Sequence, residues 1–299
     1  MTKNSLLKNR CIISIVGEDR KTFLQGLLTN DINKVSETQA IYTFMLSPQG
    51  RFLYDFFIIE KDGKFLLDCS QDRVDEIVQK FSFYKLRSKV EIRKELDLIV
   101  VSRESLVVSE GEIGFVDPRN SQMGYRGFIL QLADCHPEQS AGSLATCREP
   151  ILSATPEILR CAQDDKLVYN FQRINLKLPD DSDLTYDKSF PLEFGFDNFN
   201  AIDYKKGCYV GQETTARTHY KGTIRKKIFL VEVLDCQQME KGAEIEAEDK
   251  KYGEILSSVF HQNKLLTLAL IKNLDNEGKE INLENLKLTA LGKAIKIIK

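Results

Sequence analysis

Between positions 203 and 217 the chain reads Asp203-Tyr204-Lys205-Lys206-Gly207-Cys208-Tyr209-Val210-Gly211-Gln212-Glu213-Thr214-Thr215-Ala216-Arg217. A cysteine bracketed by two glycines has a backbone that can turn tightly and let a ligand come close. From Gln212 onward the residue types suit a helix, with Glu213 in its first turn against the positive end of the dipole. Cys208 then lies just ahead of a helix N-terminus, beside Lys205 and Lys206, and both features favour the nucleophilic, metal-ligating thiolate. The commonest fate of a cysteine, a buried structural one, is disfavoured by these neighbours. From 205 to 227 there are seven Lys or Arg and one acid, Glu213, in a chain of net charge −2. A solvated basic face accounts for this as well as an anion site does, such as one for the carboxylates of a glutamate tail.

The elements that must hold this segment differ between the two ends of the chain. Residues 11–16 read as a strand, and Phe23, Leu24, Leu27 and Leu28 fall on one helical face. Strands at 40–46 and 52–59 are joined through the turn residues 47–50, and Asp62-Gly63 predicts a hairpin into a strand at 64–69. Val74, Ile77, Val78 and Phe81 predict a helix over 72–84 capped by Asp72. Strands at 89–93 and 96–101 follow. Hairpins mixed with helices indicate an α+β fold. The last 75 residues carry short strands with no convincing helix between them, the pattern of a small antiparallel barrel or sandwich. A boundary near 218–226 gives one region over 1–218, in two α+β subdomains, and a second over 222–299.

Residues 134–165 lack periodicity and read as an inserted surface loop. They hold three of the seven cysteines, Cys135, Cys147 and Cys161, beside His136. Their gaps are long for a metal site, and no CxxC pair exists, so no stably bound metal is expected. Net charge and motifs give no case for nucleic acid as a partner. No apolar run approaches the ~20 residues of a membrane helix, and the N-terminal stretch is too polar for a secretory signal. A cytoplasmic location is the resulting expectation, and the odd, irregular cysteine set argues against a disulfide framework.

KGCYVGQE at 206–213 resembles the signature of the YgfZ-type folate-binding proteins, relatives of the glycine-cleavage T-protein, an aminomethyltransferase. FLQGLLTNDI (23–32), SPQGRFLYDF (47–56), YKLRSKVEI (84–92), DPR (117–119), GYR (124–126) and FPLEFGFDN (190–198) resemble the family's other segments in order. The resemblance covers nearly all of the chain outside 134–165. It implies an aminomethyltransferase-like folate-binding fold, with three domains in a ring around a tetrahydrofolate site and a C-terminal antiparallel β-barrel. It also implies folate-dependent support of iron–sulfur clusters, chiefly in [4Fe–4S] proteins, with client or scaffold proteins as transient partners. The role is that of an assembly or maintenance factor rather than a defined enzyme, and Cys208 is the residue it depends on.

Asp55 falls where the related aminomethyltransferases carry an aspartate beside the folate's reactive nitrogens, where a carboxylate can take a proton. Alternation would put Leu53 and Phe57 on its face, which argues against a solvent-facing Asp. Lys206, Gln212, Glu213 and Arg217 follow by position as residues toward tetrahydrofolate or a one-carbon derivative of it. The alternative function with the same fold is a folate-dependent aminomethyltransferase of the glycine-cleavage type. Two departures bear on the pterin. Lys177 stands where the family's R-I-x-x-G-x-P stretch has glycine, which predicts a changed backbone, and Asn175 stands near a glutamate of the T-proteins.

Overall fold

A five-stranded antiparallel sheet built from the apolar runs of the first hundred residues forms the platform for the site. Its strands are β2 (Arg10–Val16), β3 (Ile41–Leu46), β4 (Phe52–Lys61), β5 (Lys64–Ser70) and β6 (Glu91–Glu95), in the order β3-β4-β5-β2-β6. This computed structural model describes residues 4–105, 112–130, 162–275 and 277–298, with the backbone alone at residue 4 and over 162–166. The helices α1 (Arg20–Gln25) and α2 (Val74–Lys85) cover one face, where Phe23, Leu24, Ile77 and Phe81 meet Phe56, Ile58 and Phe65. Helix α1 stops at Gly26, short of Leu27 and Leu28, and a short 3-10 turn at Gln71–Arg73 leads into α2. The N-cap of α2 is Arg73 with no side-chain cap, so Asp72 does not cap the helix as expected. Asp62 and Gly63 both take positive φ, 48° and 72°, as the predicted hairpin turn requires.

The other face of the sheet packs on a second antiparallel sheet. That sheet comprises β1 (Asn4–Leu6), β7 (Leu98–Arg103), β8 (Ile113–Val116) and β9 (Tyr125–Leu130), in the order β1-β7-β9-β8. Helix α3 (Ala162–Asn175) follows, so residues 162–165, expected as the end of an inserted loop, belong to a helix. Residues 134–161 of that loop, with Cys135, His136, Cys147 and Cys161, lie outside the described residues. A long segment then leads to α4 (Gln212–Lys221). The last strands are β10 (Lys226–Val233), β11 (Glu244–Ala247), β12 (Lys250–His261), β13 (Lys264–Lys272), β14 (Thr289–Ala290) and β15 (Lys293–Ile298). They close into an antiparallel barrel of order β10-β13-β12-β11-β14-β15.

One apolar core ties these parts together. Tyr42, Phe44 and Phe57 of the first sheet, Val100, Phe115 and Phe128 of the second, Phe194 and Phe196 of the connecting segment and Leu256 and Leu268 of the barrel form one cluster. A buried ion-pair knot adds to it. Arg173 of α3 donates to Asp183 at 2.8 Å and to Ser257 Oγ of β12 at 2.7 Å, and Asp183 accepts from the Ser257 N–H at 2.8 Å. The knot fixes the barrel to the helix and the connecting segment.

Helix α3 ends in a Schellman motif: the Leu178 N–H bonds Arg173 O at 2.8 Å, and the Lys177 N–H bonds Ile174 O at 3.0 Å. The residue at the turn is Lys177, at φ +56°. The backbone that a glycine would favour is therefore kept, contrary to the expectation, and a lysine is held in it.

Candidate functional site

The signature loop is bolted down at both ends. On one side, Lys206 is buried and its ammonium donates to the carbonyls of Gln25 (2.8 Å), Leu28 (2.7 Å) and Asn30 (2.9 Å). These are carbonyls at and just beyond the end of α1, where the helix's own N–H groups run out. All three protons are used, so Lys206 is a strut of the fold and not a group that reaches a ligand. This corrects its expected place among the cofactor-binding residues. Burial pulls its pKa down to about 8, against the pull of Asp31 and Asp203. On the other side, the Val210 N–H bonds Gly26 O at 3.2 Å, and Gly211 sits at φ +84° as the N-cap of α4. A Cβ on Gly211 would lie 2.5 Å from Ser47 O, so only glycine lets the loop rest on the β3–β4 turn.

Between these anchors Cys208 is exposed, which excludes the buried structural role. Gly207 is exposed too, and a Cβ there would meet no atom within 4 Å. Among the described residues nothing demands a glycine beside Cys208. Gln212 opens α4, where its N–H bonds Tyr209 O at 3.2 Å. Glu213 and Arg217 pair with each other at 2.7 Å across one turn of α4, and both are exposed.

Asp55 is elsewhere. It is 2 % exposed, and Arg10 Nη1 donates to its two oxygens at 2.8 and 3.1 Å. The Tyr42 hydroxyl donates to it at 3.2 Å; burial first and then the Asp55 charge push that hydroxyl's pKa up, which keeps it a donor. Asp55 points into the face of Phe57 and Tyr42, but Leu53 does not share it: a β-bulge sets Met45 opposite Tyr54 and Leu46 opposite Phe52. Leu53 is the extra residue and packs with the α-helical side. Among the described residues no hydrogen bond or ion pair joins Asp55 to Cys208.

The charges around Asp55 form a network that sequence reasoning did not assemble. Arg10 Nε donates to Asp68 at 2.6 Å, Arg126 reaches the other Asp68 oxygen, and Arg119 pairs with Asp117 at 2.7 Å. Burial would raise the Asp68 carboxyl, yet the Arg10 and Arg126 guanidiniums hold it below the usual carboxylate range. Asp181 lies 3.5 Å from Arg10, and burial and then the Asp55 charge push its carboxyl up to about 7. The signal was present in part: Asp117, Arg119 and Arg126 lie in the DPR and GYR segments, and Asp68 interrupts an apolar strand.

A groove of about 1100 Å³ opens beside the start of the signature segment. Asn30, Asn120, Asn200, Asp117, Tyr204, Lys205 and Tyr220 are among its lining residues. Lys34, also on its wall, pairs with Asp203 at 2.8 Å. Contacts run inward from it: Asp117 holds Arg119, whose guanidinium lies 5.4 Å from the centre of the Tyr42 ring, and Tyr42 reaches Asp55. Asn175 instead borders a smaller cavity of about 420 Å³ with Phe171 and His261.

The whole chain superposes on glycine cleavage system aminomethyltransferase T from Bartonella henselae with a TM-score of 0.68. The match covers 100% of this chain and 85% of that one at 12% identity, which shows the fold. No family model matches. Over 245 residues, 76% of its length, the chain is 31% identical to the iron-sulfur cluster assembly factor IBA57 homolog, mitochondrial, of Mycosarcoma maydis. The protein of the same name from Dictyostelium discoideum is 26% identical over 278 residues, 79% of this chain.

The chain belongs to the YgfZ-type family of IBA57 homologues.

It spans only part of these two family members, 56% and 64% of their lengths. Both are named as mitochondrial, which overturns the expected cytoplasmic location. That expectation rested on tests for apolar segments, and a mitochondrial address is amphipathic and Arg-rich rather than apolar.

Proposed function

We propose that this chain binds a tetrahydrofolate or a one-carbon derivative and supports assembly or repair of iron–sulfur clusters, chiefly of [4Fe–4S] proteins, through Cys208. The observation that carries the reading is the presentation of that thiol: exposed, on a loop clamped by Lys206 and Gly211, beside a glycine that nothing among the described residues requires. The cluster-assembly role named for the fungal and slime-mould relatives supports it. A thiolate is a soft ligand for iron. One thiolate does not complete a cluster's coordination, so the remaining ligands come from a scaffold or client protein or from a small thiol.

The groove suits a folate in size and chemistry. Tyr220 offers an exposed ring to a flat ligand, Asn120 and Asn200 offer amide groups to its polar edge, and Lys205 offers a cation to a glutamate carboxylate. Bound folate would supply one-carbon or redox chemistry. Asp55 would act on it through Tyr42 and Arg119 rather than by contact, because its own carboxylate is sealed.

The test restores a gene-deletion strain with wild type, Cys208→Ser or Asp55→Asn. It measures a [4Fe–4S] dehydratase and glycine cleavage in each strain. Dehydratase loss rescued by wild type and not by Cys208→Ser, with glycine cleavage intact, is the expected result. Loss of glycine cleavage with normal dehydratase would make this an aminomethyltransferase with an incidental cysteine.

A further inference from the structure

The thiols of Cys11 and Cys69 face each other across the first sheet. Cys11 of β2 and Cys69 of β5 are direct partners in the antiparallel register, and their sulfurs are 3.6 Å apart. Opposed residues in such a pair have Cα atoms ~4.5–5.5 Å apart, inside the window a disulfide spans. The two sites differ in access: Cys69 is fully buried, whereas Cys11 is partly open to solvent. They differ in character as well. The hydrogen bond between them lowers the Cys11 pKa, against burial, and raises that of Cys69, with burial. The positions are also loaded, since the preceding residues, Arg10 and Asp68, form the buried pair next to Asp55.

We infer that Cys11 and Cys69 form a second, redox-active thiol site, separate from Cys208, that exchanges with small disulfides. Cys11 thiolate attacks one sulfur of a small disulfide, forming a mixed disulfide and releasing one small thiol. Cys69 then loses its proton and attacks Cys11 Sγ, closing the cross-strand bond and releasing the second small thiol. Two protein thiols are oxidised and one small disulfide is reduced to two thiols. Oxidation draws β2 and β5 together beside Arg10 and Asp68.

The full chain is incubated with oxidised glutathione, quenched in acid, blocked with N-ethylmaleimide in denaturant, and mapped as peptides without reduction. The expected product is a peptide pair joined through Cys11 and Cys69, with loss of two free thiols, reversal by dithiothreitol, and no product in Cys11→Ser. In Cys69→Ala the reaction stops at a Cys11–glutathione adduct. Recovery of Cys11 and Cys69 as maleimide adducts while Cys208 is glutathionylated overturns the proposal, as does linkage formed only when oxidant is added after denaturation. Cys11→Ser, at the partly open position, keeps the test decisive should Cys69→Ala not fold.

Discussion

At position 206 a lysine ammonium meets three backbone carbonyls at 2.7–2.9 Å, in a pocket it fills from inside the protein. Replacing it with methionine keeps the stem and strands three acceptors, a loss of about 2–3 kcal/mol in urea unfolding. Arginine does not rescue it, because a planar fork cannot converge on the same three oxygens. The two signature glycines separate fold from function. Gly211→Ala meets Ser47 O and costs ~2 kcal/mol or more. Gly207→Ala is neutral in the same melt, so lost cluster-dependent activity in that variant locates a partner's approach. Loss of stability in Gly207→Ala would refute this separation. Asp181 contributes a pH dependence of its own. Its carboxyl is raised from 3.8 to about 7, so the stability it contributes is full below 3.8 and lost as pH rises through 7. Asp181→Asn should therefore unfold at higher urea than wild type at pH 8, by at most ~4 kcal/mol, with the gap closing by pH 4. A gap independent of pH would assign the effect to packing.

Among the elements, the C-terminus of α3 makes the sharpest prediction. Lys177 holds φ +56° in a Schellman turn and is exposed, so Lys177→Gly should stabilise the protein by about 1 kcal/mol in the same assay. The sequence carried this in the departure from the R-I-x-x-G-x-P pattern, though it predicted a changed backbone where the turn is kept. Strand alternation and turn residues located the first sheet and most of the barrel, because period and turn chemistry are local. The bulge that moves Leu53 off the Asp55 face is not local, since it depends on where β3 stops pairing. Lys206 was legible as a cation but not as a strut, for carbonyls at the end of a distant helix leave no mark on the lysine's own neighbours. The motif glycines read alike in sequence, and only the neighbours of a built Cβ tell the required one from the other. The Arg10–Asp68–Arg126 network needed three strands to be brought together before its members could be paired.

In the whole molecule the two sheets, the connecting segment and the barrel share one apolar cluster, and the Arg173–Asp183–Ser257 knot fixes the barrel to it. Arg173→Ala leaves the buried Asp183 carboxylate without its cation and should cost about 3–5 kcal/mol. The barrel has its own second core around Val231, Ile255 and Ile271. The variant should therefore unfold in two steps, tracked by hydrogen exchange of β12 against β4. A single shifted transition would mean that the shared cluster alone couples them. The strand β1 adds an order of events. It precedes β2 by three residues yet pairs in the other sheet, Asn4 opposite Arg103. As the chain leaves the ribosome, β1 waits for β7, whereas β2 can already pair with β5, which is complete before β6 and β7 are made. The β2–β5 pairing can form while Leu6 of β1 is still uncovered, and until β7 emerges that short apolar strand is something a chaperone could hold.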